Sequence, residues 1–277
     1  NRLGLVEGEE VIDVSAALDT LAPARWPYPM GDALVANWES LRPAIENAAG
    51  TGARSTLSET ALLSPVANPS KIIGIARNRR DLASESDVLE GGSQTRRDED
   101  PVHMFIKATS ALAGPSDGVA LRFLDRRNDP EAELSVVIGK KGSDIPRAKA
   151  FEHVFGYCIG LDMTLRGSES PSSRKSIDGY AILGPWIATR DEIPDPDNVE
   201  NTLRINDRLI HQANTRDFAF DVVTVIAHAS TFYTLYPGDV IMAGTPAISE
   251  PVKPGDTIIA DFEGIGAMTV SITAHER

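Results

Sequence analysis

The run Glu131-Ala-Glu-Leu-Ser-Val-Val-Ile138, with Val154-Phe-Gly-Tyr-Cys-Ile-Gly-Leu-Asp162 after it, decides the reading of this chain. Each is an apolar run of strand length with acid at one end. Side chains two apart on a strand share a face, so Glu131 and Glu133 project side by side. Asp162 closes the second run. A carboxylate pair against a buried strand is costly unless a cation meets it. Oxygen-only donors suit a hard divalent ion, Mg²⁺, Mn²⁺ or Ca²⁺, rather than zinc. The spacing alone also fits a polar strand end with solvated glutamates.

Working outward, the 277 residues allow one large domain or a small domain beside a large one. The formal net charge of −13 opposes nucleic-acid binding, which needs a basic footprint. An anionic substrate would have to be met by the metal and by local Arg and Lys. No window is long and apolar enough to span a membrane, so no membrane partner is expected. The single cysteine, Cys158, excludes an intrachain disulfide and reads as a buried core thiol. A cytoplasmic location is the corresponding expectation.

The pattern predicts an α+β chain in two parts, a small N-terminal α/β domain over 1–69 and a β-rich domain over 70–277. In the first, 3–13 reads as a hairpin turning at Glu7-Gly8-Glu9, with helices over 14–21 and 32–49. Residues 63–69 form an extended, proline-bounded linker. In the second, 71–76 is a buried strand and 81–89 a short helix. Residues 90–100 are a polar loop or a lid. Strands are predicted at 103–107, 119–121, 133–139 and 157–161, with a helix over 147–154. Further strands fall at 186–189, 203–205 and 208–210, the last two turning at Asn206-Asp207. A helix over 220–235 stops at Pro237-Gly238, and strands at 239–243, 257–260 and 268–273 complete the domain.

Several motifs stand in a fixed order: Phe105-Ile-Lys-Ala-Thr-Ser110, Glu131 to Gly139, Gly160-Leu-Asp-Met-Thr164, Arg174-Lys-Ser-Ile-Asp178 and Leu183-Gly-Pro-Trp186. Asn206 with Gln212, Pro237-Gly-Asp-Val-Ile241, Gly244-Thr-Pro246, Pro254-Gly-Asp256 and Glu263-Gly-Ile-Gly266 follow. From Lys71 onward the chain thereby resembles the fumarylacetoacetate hydrolase family, in its bacterial homodimeric branch. The resemblance implies a mixed β-roll or sandwich and a homodimer. It also implies one Mg²⁺ held by Glu131, Glu133 and Asp162, and small 2-oxo or β-dicarbonyl acids as substrates. Known reactions are C–C hydrolysis, decarboxylation and enol–keto isomerisation, which share a metal-stabilised enolate. By position, Lys175 sits near the metal-bound oxygens, and Thr245 binds a carboxylate or oxyanion. Arg77 faces the substrate, and Lys107 lines the pocket or neutralises the glutamates. Glu169 falls where many relatives have Gln, and Asp178 is structural.

One departure bears on the reaction. Relatives with Asn-Tyr-x-Asp-His-x-x-Glu use the His–Glu pair as a general base. Here the segment is Asn78-Arg-Arg-Asp-Leu-Ala-Ser-Glu85, with Leu82 in place of the histidine. Glu85 remains, and His103 is a possible substitute. The expected activity is a metal-dependent hydrolase of a small acylpyruvate or β-diketo acid in aromatic or sugar-acid catabolism. A decarboxylase or a 2-hydroxy-dienedioate isomerase is the alternative within the family. A metal-binding module without catalysis is the alternative outside it.

Overall fold

In the computed structural model, which describes residues 1–79, 102–245 and 249–276, the strands form three sheets among the described residues. The smallest is N-terminal: β1 (Gly4–Glu7), β2 (Glu10–Asp13) and β3 (Arg54–Thr56), all antiparallel. Gly8, at φ 61°, makes the expected hairpin turn. The helix expected over 32–49 is two helices, α1 (Ala33–Ala36) and α2 (Trp38–Ala49), broken at Asn37, whose φ of −112° leaves the helical region. Asp32 caps α1 by accepting from the Leu34 and Val35 amides. The turn expected as a helix over 14–21 is 3₁₀, Ser15–Thr20. Ile12, Val14, Ala17, Leu41 and Ile45 form a small core of their own.

The central sheet has seven strands: β4 (Ile72–Ala76), β5 (His103–Lys107), β6 (Leu112–Ala113), β8 (Asn128–Ile138), β9 (Val154–Leu165), β10 (Ala181–Thr189) and β13 (Val240–Met242). Their order is β5-β4-β13-β8-β9-β10-β6. The β13–β4 and β10–β6 pairs are parallel and the others antiparallel. Both acid-bearing strands run further than their apolar stretches suggest. β8 begins at Asn128 and passes through Pro130. Pro130 opposes Met163, whose amide points the other way, to the Tyr180 carbonyl. Pro130 therefore faces away from β9, on a stretch where β13 no longer pairs, and its missing N–H leaves no ladder bond unmade.

The third sheet contains β7 (Val119–Leu121), β11 (Glu200–Ile205), β12 (Arg208–Asn214), β14 (Thr257–Phe262) and β15 (Gly266–Ala274). Its inner residues, among them Leu203, Ile258, Phe262 and Val270, share one core with Leu134, Val136, Ile159 and Leu161 of the central sheet. That is a sandwich of two sheets. The helices are α3 (Pro171–Arg174) and α4 (Val222–Phe232), the latter capped by Asp221 and packed into the same core. Residues 147–153, expected as an α-helix, are 3₁₀. No helix among the described residues is long and apolar enough to cross a membrane.

The other face of the central sheet is concave. Lys107 on β5 ion-pairs with Asp162 on β9 although β4, β13 and β8 lie between them. In a flat sheet those strands would stand ~19 Å apart. Glycines permit the curl. A Cβ on Gly74 would lie 2.1 Å from the Phe105 ring, and one on Gly160 would lie 2.3 Å from Ser135 Oγ. At one end the concave face is apolar, with Ile72, Val137, Cys158, Leu183 and Met242, joined by Val35 and Val66 from the N-terminal segment. The other end is charged.

Candidate metal and active site

Strand register assembles the charged end. Glu131 lies directly opposite Asp162, Asp129 opposite Thr164 and Glu133 opposite Gly160. Because side chains alternate, one row reads Asp129, Glu131, Glu133 and the facing row reads Asp162, Thr164, all on the concave face. Glu131, Glu133 and Asp162 each offer an oxygen within 4.8 Å of the others. Oxygens on one hard cation at ~2.0–2.6 Å are at most about 5 Å apart, so the donor set and its spacing fit such an ion. Glu131 is the more open of the three, while Glu133 and Asp162 are 2% and 1% exposed.

Protein cations already meet these acids. Lys175, at the end of α3, donates to Glu131 Oε2, Asp162 Oδ2 and Thr164 Oγ1, each at 2.6 Å. Its ammonium also lies 5.1 Å from the Phe105 ring centroid. Lys107, fully buried, donates to Asp162 Oδ1 and to the Lys175 carbonyl. Arg166 Nη2 donates to Glu131 Oε1 at 2.8 Å. The Gly244 amide donates to Glu133 Oε2 at 2.8 Å. Gly244 is left-handed at φ 100°, and a Cβ there would come within 2.7 Å of Asn78. Asn78 in turn bonds Phe220 at both its amide and its carbonyl, and also the Ala243 carbonyl, fixing the loop that presents that amide.

The charges set opposite tendencies. Burial, then the Asp162 charge, raises Glu133 well above the usual carboxylate range. Burial would also raise Asp162, but Lys107 and Lys175 outweigh it and hold Asp162 low. Burial would lower Lys175, but Asp162, Glu131 and Glu133 overcome it, so Lys175 stays protonated. Lys107 is lowered by burial, which Asp162 only partly offsets. The site therefore has one carboxyl whose protonated form is favoured by burial, Glu133, and one ammonium whose charged form is favoured by its acids, Lys175.

The remaining sequence-derived residues divide. Lys175 and Lys107 converge on the acids, and Lys175 is a buried group rather than a surface lysine. Thr245 directly follows the Gly244 amide that engages Glu133. His103 opens β5 opposite Ala76 and is exposed. Arg77 is exposed where β4 ends, in the left-handed region at φ 55°. Glu169 is taken up by Arg126 in a two-pronged pair, 2.8 Å on each prong, and that bonding holds its carboxyl at about 2. Asp178 pairs with Arg122 on the exterior. Glu85, Leu82, the helix expected over 81–89 and the loop or lid over 90–100 lie outside the described residues. Asp129, Thr164, Arg166 and Asn78 had not been singled out. The first three continue the two-residue spacing of the acids, Asp129-x-Glu131-x-Glu133 and Asp162-x-Thr164-x-Arg166, and that periodicity was the available signal.

The model of the fumarylacetoacetate (FAA) hydrolase C-terminal region matches residues 71–273. A maleylpyruvate hydrolase of Aquipseudomonas alcaligenes is 45% identical over 276 residues, 98% of this chain and 96% of that protein. The crystal structure of maleylpyruvate hydrolase from Sphingobium sp. SYK-6, in complex with manganese(II) ion and pyruvate, matches with a TM-score of 0.83 at 36% identity, covering 100% of this chain and 97% of that one. A 5-carboxymethyl-2-hydroxymuconate delta-isomerase from Mycobacterium smegmatis matches with a TM-score of 0.70 at 30% identity, covering 81% and 87%. The chain belongs to the fumarylacetoacetate hydrolase family. Within it, the chain is an enzyme that uses a divalent metal to hydrolyse a carbon–carbon bond in a small acylpyruvate-type acid of aromatic catabolism.

Proposed function

We propose that the substrate is a dianionic acylpyruvate of the maleylpyruvate kind, cleaved by water to pyruvate and the acyl acid. We further propose Mg²⁺ or Mn²⁺ as the cation, with Glu131, Glu133 and Asp162 as its ligands. The observation that carries the reading is charge balance. Asp129, Glu131 and Asp162 are paired with Arg127, Arg166, Lys107 and Lys175, and Glu133 takes the Gly244 amide. With Glu133 ionised by a bound divalent cation, these four acids, four bases and the ion carry two positive charges, and a dicarboxylate offsets them. The similarity to the two maleylpyruvate hydrolases supports the same substrate class.

When bound, the cation supplies Lewis acidity toward the oxygens of a 2-oxo acid. The protein supplies the rest. With Glu131 and Asp162 turned to the cation, the protonated Lys175 ammonium is left to donate toward the oxygen that gains charge as the C–C bond breaks. Lys107 keeps Asp162 ionised and fixes the Lys175 main chain. Thr245 offers its hydroxyl to a carboxylate or oxyanion. Arg77 serves the outer end of the substrate. Glu85 or His103 takes the proton from the attacking water. Glu169, committed to Arg126, contributes at most through that pair.

Leu82 favours a second reading, enol–keto isomerisation of a related acid, because that reaction needs no activated water. A parallel assay of maleylpyruvate, oxaloacetate and a 2-hydroxy-dienedioate with added Mg²⁺ or Mn²⁺, each against Glu133→Gln, separates the readings. Stoichiometric pyruvate from maleylpyruvate, lost in the variant, supports hydrolysis. Turnover of the dienedioate alone would replace it with isomerisation, and silence on all three with metal bound would favour a binding module. A homodimer is part of the same proposal, and sedimentation equilibrium giving a monomer at assay concentration would remove it.

A further inference from the structure

Asp129 is a buried carboxylate that does not touch the three-acid cluster. It is 0% exposed and lies on the same face of β8 as Glu131. Both its oxygens are taken by arginines. Arg127 Nε donates to Oδ1 at 2.8 Å and to Oδ2 at 3.0 Å, and Arg166 Nε donates to Oδ2 at 2.7 Å. Arg166 then spends Nη2 on Glu131 Oε1, leaving Oε2 to face Lys175. The guanidinium thus bridges the two carboxylates, Nε on Asp129 and Nη2 on Glu131. Arg127 also reaches the Ser249 carbonyl at 3.3 Å, so the same carboxylate ties the end of β9 to the chain that returns after Thr245.

We infer that Asp129 is a positioning residue. Acting through Arg166, it fixes which oxygen of Glu131 is capped by protein and which faces the cation site. Buried partners that orient a metal ligand in this way are worth about 10–100-fold in metal affinity. The inference rests on the reading of Glu131, Glu133 and Asp162 as the cation site.

The test is a Mn²⁺ titration by electron paramagnetic resonance on the full chain, stripped with chelator beforehand. The proteins are wild type, Glu133→Gln, Asp129→Asn, Arg166→Lys and the Asp129→Asn/Arg166→Lys double variant. Metal-free thermal melts accompany each titration. Asparagine leaves one acceptor for two guanidiniums, and lysine keeps a charge near Glu131 but cannot span both carboxylates. Each single variant is expected to weaken Mn²⁺ binding about 10–100-fold. The double variant should be no weaker than the worse single one, because both break one connection. Wild-type affinity in Asp129→Asn, or additive losses in the double variant, overturns the inference. If Asp129→Asn does not fold, Arg166→Lys decides alone, and wild-type affinity there overturns it. Wild-type affinity in Glu133→Gln removes the cation site itself, whereas a weakened Glu133→Gln beside an unaltered Asp129→Asn removes only the role of Asp129.

Discussion

Lys175 holds apart charges that would otherwise repel. Its replacement by methionine leaves Glu131 and Asp162 facing each other with one fewer counter-charge. Removing one member of a buried ion network costs about 3–5 kcal/mol. Lys175→Met is therefore expected to lose that much stability without metal and to regain much of it in saturating Mn²⁺, as read by urea denaturation with and without the ion. Glu133 gives the pH dependence. Its native pKa is raised, so the folded protein keeps this proton to higher pH than the unfolded chain does. A cation must displace that proton, so affinity is lost as pH falls through the raised value and is full above it. Asp162 is held low and does not add to the effect in that window. Calorimetry in buffers of different ionisation enthalpy should show proton release on Mn²⁺ binding, shrinking as pH rises. Cys158 behaves as its apolar run predicts. Burial pushes its thiol up to about 12, so a thiol reagent at pH 8 should label it only after unfolding. At this scale the three acids were legible because their spacing is local. Asp129 and Arg166 follow the same period, but which acid an arginine faces depends on strand register.

Two of the recurrent motifs turn out to be the same turn. In Pro237-Gly-Asp239, Gly238 is left-handed and Asp239 Oδ2 accepts from the Tyr236 amide. In Pro254-Gly-Asp256, Gly255 is left-handed and Asp256 Oδ2 accepts from the Lys253 amide. They differ in their further partners. Asp239, 0% exposed, accepts from Ser70 and the Lys71 amide at Oδ1 and from the Lys71 ammonium at Oδ2, which joins the start of β4 to β13. Asp256, nearer the surface, takes only Asn206. Asp239→Ala is accordingly expected to cost about 3–5 kcal/mol, and Asp256→Ala about 1–2 kcal/mol. Urea melts of the two variants side by side would check the ratio. Most strand positions were readable from alternating and continuous apolar runs, but β3 and β6, three and two residues long, are too short to carry one. Strand ends were not, because β8 and β9 continue past their apolar runs into acids whose counter-charges, Lys107, Arg127, Arg166 and Lys175, come from elsewhere in the chain. The break at Asn37 escaped for a related reason, since helical periodicity runs on through both α1 and α2.

Across the whole molecule the N-terminal segment is both a unit and a cover. It has its own small core, yet Leu34, Val35 and Val66 pack on the apolar end of the concave face. Asp32 Oδ2 accepts from the Ala67 and Asn68 amides, and the Asp32 amide donates to Pro237. We propose a division near Pro69 with that interface across it. Residues 70–277 expressed alone are then expected to expose Ile72, Val137 and Met242 and to aggregate, which light scattering would show. A soluble, folded fragment would mean the N-terminal segment is dispensable for packing. The pairing of β8 with β9 has one more consequence. The acids stand on central strands, and their separations are dictated by hydrogen-bonded backbone rather than by loops that breathe. Such a frame keeps the strand positions of the ligands fixed whether or not an ion is present, so the site is built before the cation arrives. The amides of Glu131 and Asp162 should accordingly be among the slowest in the protein to exchange with solvent, with or without Mn²⁺.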